Sequence, residues 1–190
     1  SLTEEDAPLL AAIGRASIEQ GLERPGMRAQ RLALEIAPYD LRLKKNLALA
    51  ELQQGNSSEG VALLEEALAE GSSLETQMML ALAHLQAKDF EQALEAGNAI
   101  QQAYPDSPHG YTIAGMASGL KGDKAQSKAL FSQALEVAPG DPNAGLNLAG
   151  LALIDGDTEE AMRLYREVLR HHPDNLETLL KLGTLEARIG

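Results

Sequence analysis

A spacing of about 34 residues runs through this chain from end to end. Gly14, Ala48, Ala81, Gly115, Ala149 and Gly183 follow one another at intervals of 34, 33, 34, 34 and 34 residues. A second series of small residues, Gly26, Gly60, Ala93, Ser127 and Ala161, keeps the same step. So do the turn positions Gly21, Gly55, Lys88, Gly122, Gly156 and Gly190. The prolines Pro38, Pro105, Pro139 and Pro173 fall in the same register, with Ser72 in the slot that lacks one. A period of this length is the signature of one supersecondary unit repeated and stacked on itself.

Each series has a physical task. The two small-residue series stand where paired antiparallel helices cross, so that their backbones can approach closely. The glycines of the turn series end each first helix, where a left-handed residue is needed. The prolines end each second helix, because the residue before a proline is driven out of the helical region. Asn56, Asp89, Asp123 and Asp157 follow the turns as caps, with Glu59, Gln92, Gln126 and Glu160 three residues on, which is capping-box spacing. Ser107-Pro108 and Asp141-Pro142 open first helices, where a missing N–H costs nothing. In the first unit Arg24-Pro25-Gly26 occupies the place of a clean cap, so its second helix is expected to start late, and the second unit is one residue short.

The punctuation predicts an all-α chain of helix-turn-helix pairs beginning near Ala7, Leu41, Leu74, Pro108 and Pro142, and a sixth first helix from about Leu176. The whole of 1–190 is expected to be one array, with units near 7–40, 41–73, 74–107, 108–141 and 142–175 and a partial unit 176–190. A half unit at the end, and Ser1 where a methionine would stand, read as a piece cut from a longer array.

Composition agrees. Hydrophobic residues make up 44% but aromatic residues only 3%, with no Trp, so the interior must be Leu, Ala and a few β-branched residues in closely packed helices. The net charge is −12 and no basic stripe is evident, so a nucleic-acid partner is not expected. The absence of cysteine removes disulfides, thiol catalysis and zinc-thiolate sites. No run of about 18 apolar residues would insert in a membrane, and the polar start Ser1 to Asp6 is not a signal peptide.

The groups that could carry chemistry each have a simpler use. Asp155, Asp157 and Glu159 could bind calcium, but Asp157 has a capping role and the loop glycine is misplaced. His171 and His172 lack a third ligand at suitable spacing and suit the negative end of a helix. His84 occupies a helix-packing slot and His109 the opening of a first helix, and neither has catalytic partners. Gly115 and Gly119 mark close helix approach, and the GLKGD turn lacks the pattern of a phosphate loop. No catalytic, cofactor or metal site is expected.

The segment PNAGLNLAGLALIDGDTEEAMRLYREVLRHHPD, with Leu148, Ala149, Ala161, Tyr165 and Pro173, resembles the tetratricopeptide repeat family. Tyr111, Gly115, Phe131, Ala134 and Pro139 carry the same pattern in the preceding unit. The chain departs from the family at the mid-first-helix aromatic, replaced by Ser17, Glu51, His84, Ser118 and Ala152. The resemblance implies a right-handed superhelical solenoid of five hairpins plus a sixth first helix. It also implies a non-enzymatic scaffold whose first helices line a concave groove for a protein or peptide. The family's groove positions fall on Arg15, Arg42, Lys45, Asn46 and Leu49, then Met78, Met79 and Leu82. In the later units they fall on His109, Thr112, Met116, Asn143, Leu146, Asn147, Lys181 and Thr184. The family's clamp for a terminal carboxylate is not expected, because Glu75 and Glu177 stand among its flanking positions.

The runs LALAELQQGNSSEGVALLEEAL, YPDSPHGYTIAGMASGLKGD and YREVLRHHPDNLETLLKLGTLEARIG further resemble the periplasmic tetratricopeptide lipoproteins of bacterial exopolysaccharide and exosortase (PEP-CTERM) clusters. That likeness implies a role in envelope assembly or protein sorting, a periplasmic address and a lipid anchor outside this segment. The alternatives are a cytoplasmic address and an architectural spacer without a ligand of its own.

Overall fold

The computed structural model describes residues 2–189. Ser1 and Gly190, on which the excised start and the last turn position fall, lie outside them. Among the described residues the chain is built of eleven α-helices and one short 3-10 turn, with no strand. It forms two compact units that divide between Asp89 and Phe90.

The first unit holds α1 (Ala7–Glu19), α2 (Glu23–Ile36), α3 (Leu41–Gln53), α4 (Ser57–Glu70) and α5 (Leu74–Ala87). Neighbours in sequence pack on one another, and the first helices α1, α3 and α5 also touch in succession. The interior is aliphatic: Met27, Leu47, Ala48, Leu52, Leu63, Leu64 and Leu80 form one cluster, and Ala7, Ala11, Ala33 and Leu43 another. The small-residue series does what its spacing predicts. A Cβ on Gly14 would lie 2.8 Å from the Gly26 carbonyl oxygen, and one on Gly26 would lie 2.7 Å from that of Gly14, so α1 and α2 meet backbone to backbone.

The second unit holds α6 (Phe90–Ala103), α7 (His109–Leu120), α8 (Lys124–Val137), α9 (Pro142–Ile154), α10 (Thr158–His171) and α11 (Leu176–Ile189), again packed in chain order. Phe131, Ala134 and Ala144 make one core cluster, and Ala149, Ala161, Leu164, Tyr165 and Leu185 another. Gly115 yields to the Phe131 ring, which would stand 2.8 Å from a Cβ at that position. Gly183, the last of its series, is exposed and meets nothing.

The described members of the turn series are all left-handed, with φ of 79°, 81°, 65°, 93° and 81° at Gly21, Gly55, Lys88, Gly122 and Gly156. A sixth left-handed residue, Gly140, belongs to no series; the His171 ring occupies the space its side chain would need. The second helices before Pro38, Pro105, Pro139 and Pro173 end at Ile36, Ala103, Val137 and His171.

Two expectations about caps fail. Asp123 and Asp157 accept the backbone N–H of Gln126 at 2.9 Å and of Glu160 at 3.0 Å, but Asn56 does not cap α4. Its amide turns inward and donates to Glu51 Oε2 at 2.8 Å. The second helix of the first unit does not start late either. α2 begins at Glu23, two residues after the left-handed Gly21, as α4 begins two after Gly55. Proline is tolerated in a first turn, whose N–H groups have no helical acceptor, so Arg24-Pro25-Gly26 delays nothing.

Candidate functional site

In the first unit the groove positions sit on α1, α3 and α5. Arg15 is exposed without an ion pair among the described residues, and Arg42 lies 3.7 Å from Asp40. The Lys45 ammonium is bonded to Glu75, which neutralises it. Asn46 and Met78 are half-buried, and Met79 packs against the core cluster. Leu49 and Leu82, each 44% exposed, are the apolar side chains this face presents to solvent.

The second unit brings its positions together more closely. Met116 of α7, Leu146 and Asn147 of α9 and Lys181 of α11 line a single open pocket of about 430 Å³. Its walls are Leu120, Phe131, Leu151 and Ile154, and Gly119, Ser127 and Gly150 complete the lining. Gly150 has no atom within 4 Å of where a Cβ would be, so the lining at this position faces open space. Leu120 and Ile154 are 57% and 67% exposed, whereas Phe131 is buried. Ser127 is spent on the Gly115 carbonyl at 2.8 Å. The polar groups left to a ligand are therefore the Asn147 oxygen and the Lys181 ammonium. The Asn147 amide nitrogen donates to the Asn143 carbonyl at 2.7 Å, and Lys181 stands 3.5 Å from Glu177.

The other positions lie outside this pocket. His109 is half-buried at the start of α7, and Asn143 and Thr184 are exposed. Thr112 is a correction: it is buried, and its hydroxyl donates to the Pro108 carbonyl at 3.0 Å, leaving nothing for a partner.

The acidic turn is occupied by structural partners. Asp155 accepts from Lys124 at 3.2 Å and from Lys128, and these bonds hold its carboxyl below the usual range. Glu160 is lowered likewise by the Arg163 fork, with bonds of 2.7 Å to each oxygen. Among the described residues no three His, Asp or Glu side chains come together as a metal site. His171 lies 3.3 Å from Glu167.

A second surface escapes the sequence reading. Arg24, Arg28 and Arg31 line one side of α2, over an open cavity of about 780 Å³ completed by Glu23, Met27, Leu32, Glu35, Gln54 and Asn56. The reading that the chain has no basic stripe is thus corrected: positions 24, 28 and 31 share a helix face by their spacing. The signal is present in the i, i+4, i+7 pattern, but intervening residues and the strongly acidic total hide it. At the base of this line Glu51, with no exposed surface, accepts Arg31 Nη2 at 2.6 Å and Nε at 3.0 Å on one oxygen and Asn56 on the other.

Comparison with known proteins places this architecture. Tetratricopeptide repeat models match residues 45–108 and residues 142–185, together more than half the chain. Tetratricopeptide repeat protein 8 of Caenorhabditis elegans is 26% identical over 160 residues, covering 83% of this chain and 32% of that protein. Cellulose synthase 2 operon protein C of Komagataeibacter xylinus is 43% identical over 53 residues, covering 26% of this chain and 4% of that one. This chain thus spans a third or less of the length of either relative. Among solved structures, a thermophilic tetratricopeptide protein of Thermus thermophilus superposes with a TM-score of 0.71 at 20% identity, covering 95% of this chain and 99% of the other. The helical pairs, their punctuation and these matches together make the chain a member of the tetratricopeptide repeat family, whose fold serves as a protein-interaction scaffold and is typically non-enzymatic.

Proposed function

We propose that this chain holds a polypeptide segment against its first helices, and that the pocket between Met116, Leu146, Asn147 and Lys181 is one point of grip. The observation that carries this reading is the pocket itself. Four residues expected to face a partner line one apolar recess with an amide and an ammonium at its edge. Such a recess suits an aliphatic or aromatic side chain, and the polar pair suits the backbone or an acidic group beside it. Leu49 and Leu82 give the first unit a shallower contact of the same kind.

An envelope setting, in exopolysaccharide assembly or protein sorting on the periplasmic side, is the reading that the likeness to a cellulose synthase operon protein supports. A spacer role without a ligand is the competing reading. No helix among the described residues is long and apolar enough to cross a membrane.

The test is a set of charge insertions, Met116→Glu and Leu146→Glu in one unit and Met79→Glu and Leu82→Glu in the other. Their helicity and their retention of a crosslinked, mass-identified partner are compared with those of the parent. Loss of the partner at full helicity upholds the scaffold, capture of no partner by the parent upholds the spacer, and unchanged retention by all four variants overturns a grip at the first helices.

A further inference from the structure

We propose that the α2 arginine line is a second binding surface, one that takes an acidic peptide segment through guanidinium–carboxylate pairs. The chain carries 16 basic residues against 28 acidic ones, and most of the bases are paired within their own unit. Arg24 and Arg28 lie in none of the ion pairs among the described residues, yet both line the same cavity of about 780 Å³. Two guanidiniums over one cavity thus stay outside any ion pair, in a chain with many carboxylates to spare, although Glu23 and Glu35 line the same cavity.

The third member is held in place at a cost. Glu51 is wholly buried, and a buried carboxylate loses its hydration. It fixes Arg31 through Nε and Nη2 while the arginine side chain as a whole stays 54% exposed. Asn56 gives up its capping position to complete the carboxylate's bonding. Glu51 is therefore a positioning residue: it presents Arg31 beside Arg24 and Arg28 rather than leaving it free to sweep solvent.

Arg24 to Arg31 spans about 10 Å along the helix, the length of three to four extended residues. Glu23 and Glu35 close the two ends, which confines the acidic portion of a ligand to that length. Arginine forks favour planar carboxylates with two parallel bonds. A nucleic acid fits worse, since three arginines offer little against a net charge of −12, and no aromatic side chain lines the cavity for stacking.

The test is a nuclear magnetic resonance titration of the arginine Nε–Hε signals at about 50 mM salt, with tetraglutamate, tetraglutamine and oligothymidylate as probes. The expected result is a saturable shift of the Arg24 and Arg28 signals with tetraglutamate and none with tetraglutamine. The Arg24→Ala/Arg28→Ala double variant binds about tenfold more weakly with unchanged helicity. Glu51→Gln keeps the helices but broadens the Arg31 signal and weakens tetraglutamate binding. Absence of any shift, an equal response to tetraglutamine, or tighter binding of oligothymidylate lost in the same double variant would each overturn the proposal. Leu146→Glu leaves tetraglutamate binding intact, so the result is independent of the first-helix pocket.

Discussion

Arg31 closes Nε and Nη2 on a single oxygen of Glu51, a carboxylate twenty residues away with no exposed surface. The bond ties α2 to α3 and so joins the first hairpin to the second. Because Arg31 is half in solvent and Glu51 is not, the two partners are not equivalent. Arg31→Ala strands a buried charge with only Asn56 beside it and is expected to cost about 3 kcal/mol. Glu51→Met removes the buried charge itself and lets Arg31 return to water, so its cost is expected to stay below about 1.5 kcal/mol. Urea denaturation of the two variants checks the order, and the reverse order would mean that Glu51 is stabilised by more than its arginine.

Gln30 is 1% exposed, and neither amide atom finds a partner. It lies against Gly14, whose Cβ would stand 2.9 Å from its Cγ. Gln30→Met keeps the shape and removes the unmet polar atoms, with an expected gain of about 1 kcal/mol. Gly14→Ala forces α1 from α2 and is expected to cost at least about 1 kcal/mol. Thermal denaturation reads both, and a destabilised Gln30→Met would show that the amide is satisfied in solution.

How far the sequence alone reaches is clear from these residues. The 34-residue step and its turn glycines locate the helices, because helix ends are governed by local chemistry that a short segment carries with it. The Glu51 network is not legible. A glutamate inside a helix usually faces water, and nothing nearby names an arginine twenty positions back as its partner. Asn56 reads as a cap because Asn at that spacing usually is one, until a buried acceptor competes for its amide. Thr112 reads as a groove residue by its position, yet its hydroxyl folds back on Pro108, a use that period and spacing do not reveal. Leu146 and Lys181 are placed by the family's pattern, but their meeting in one recess depends on how α10 packs against both α9 and α11.

Stability is expected to fall in alkali through two groups. Lys44 is buried, and its pKa is raised chiefly by its bond to Glu70, at 2.5 Å, with Glu66 adding to it. Burial raises Tyr165 in the second unit. A folded-state pKa above the unfolded value means that the native state holds its proton more tightly. The contribution is therefore complete below about pH 10 and is lost as pH rises through the folded values. Tyr165→Phe should remove part of that alkaline loss while leaving neutral stability little changed. A chemical-denaturation series from pH 7 to about 11 checks it, and a parent whose stability rises over that range contradicts the assignment.

Gly150 and Gly183 are both helical glycines with nothing near a Cβ, but only Gly150 lines the pocket. Gly183→Ala is expected to gain about 0.5–1 kcal/mol with no effect on a partner. Gly150→Leu should be equally well folded and should abolish partner binding by filling the recess. Circular dichroism and a binding assay on the pair separate the effects, and a Gly150→Leu protein that binds normally would remove the pocket from the account.

Contact between a polypeptide and the first-helix pocket of the second unit is read directly by site-specific photo-crosslinking. A benzoylphenylalanine is placed at Leu146, with a control at the exposed Glu159 in the first turn of α10, and crosslinked peptides are identified by mass spectrometry. One recurrent partner segment bearing an apolar residue is expected, captured from position 146 and absent from position 159. Capture from position 159 alone, or from neither position while the full-length partner still binds, would contradict that contact.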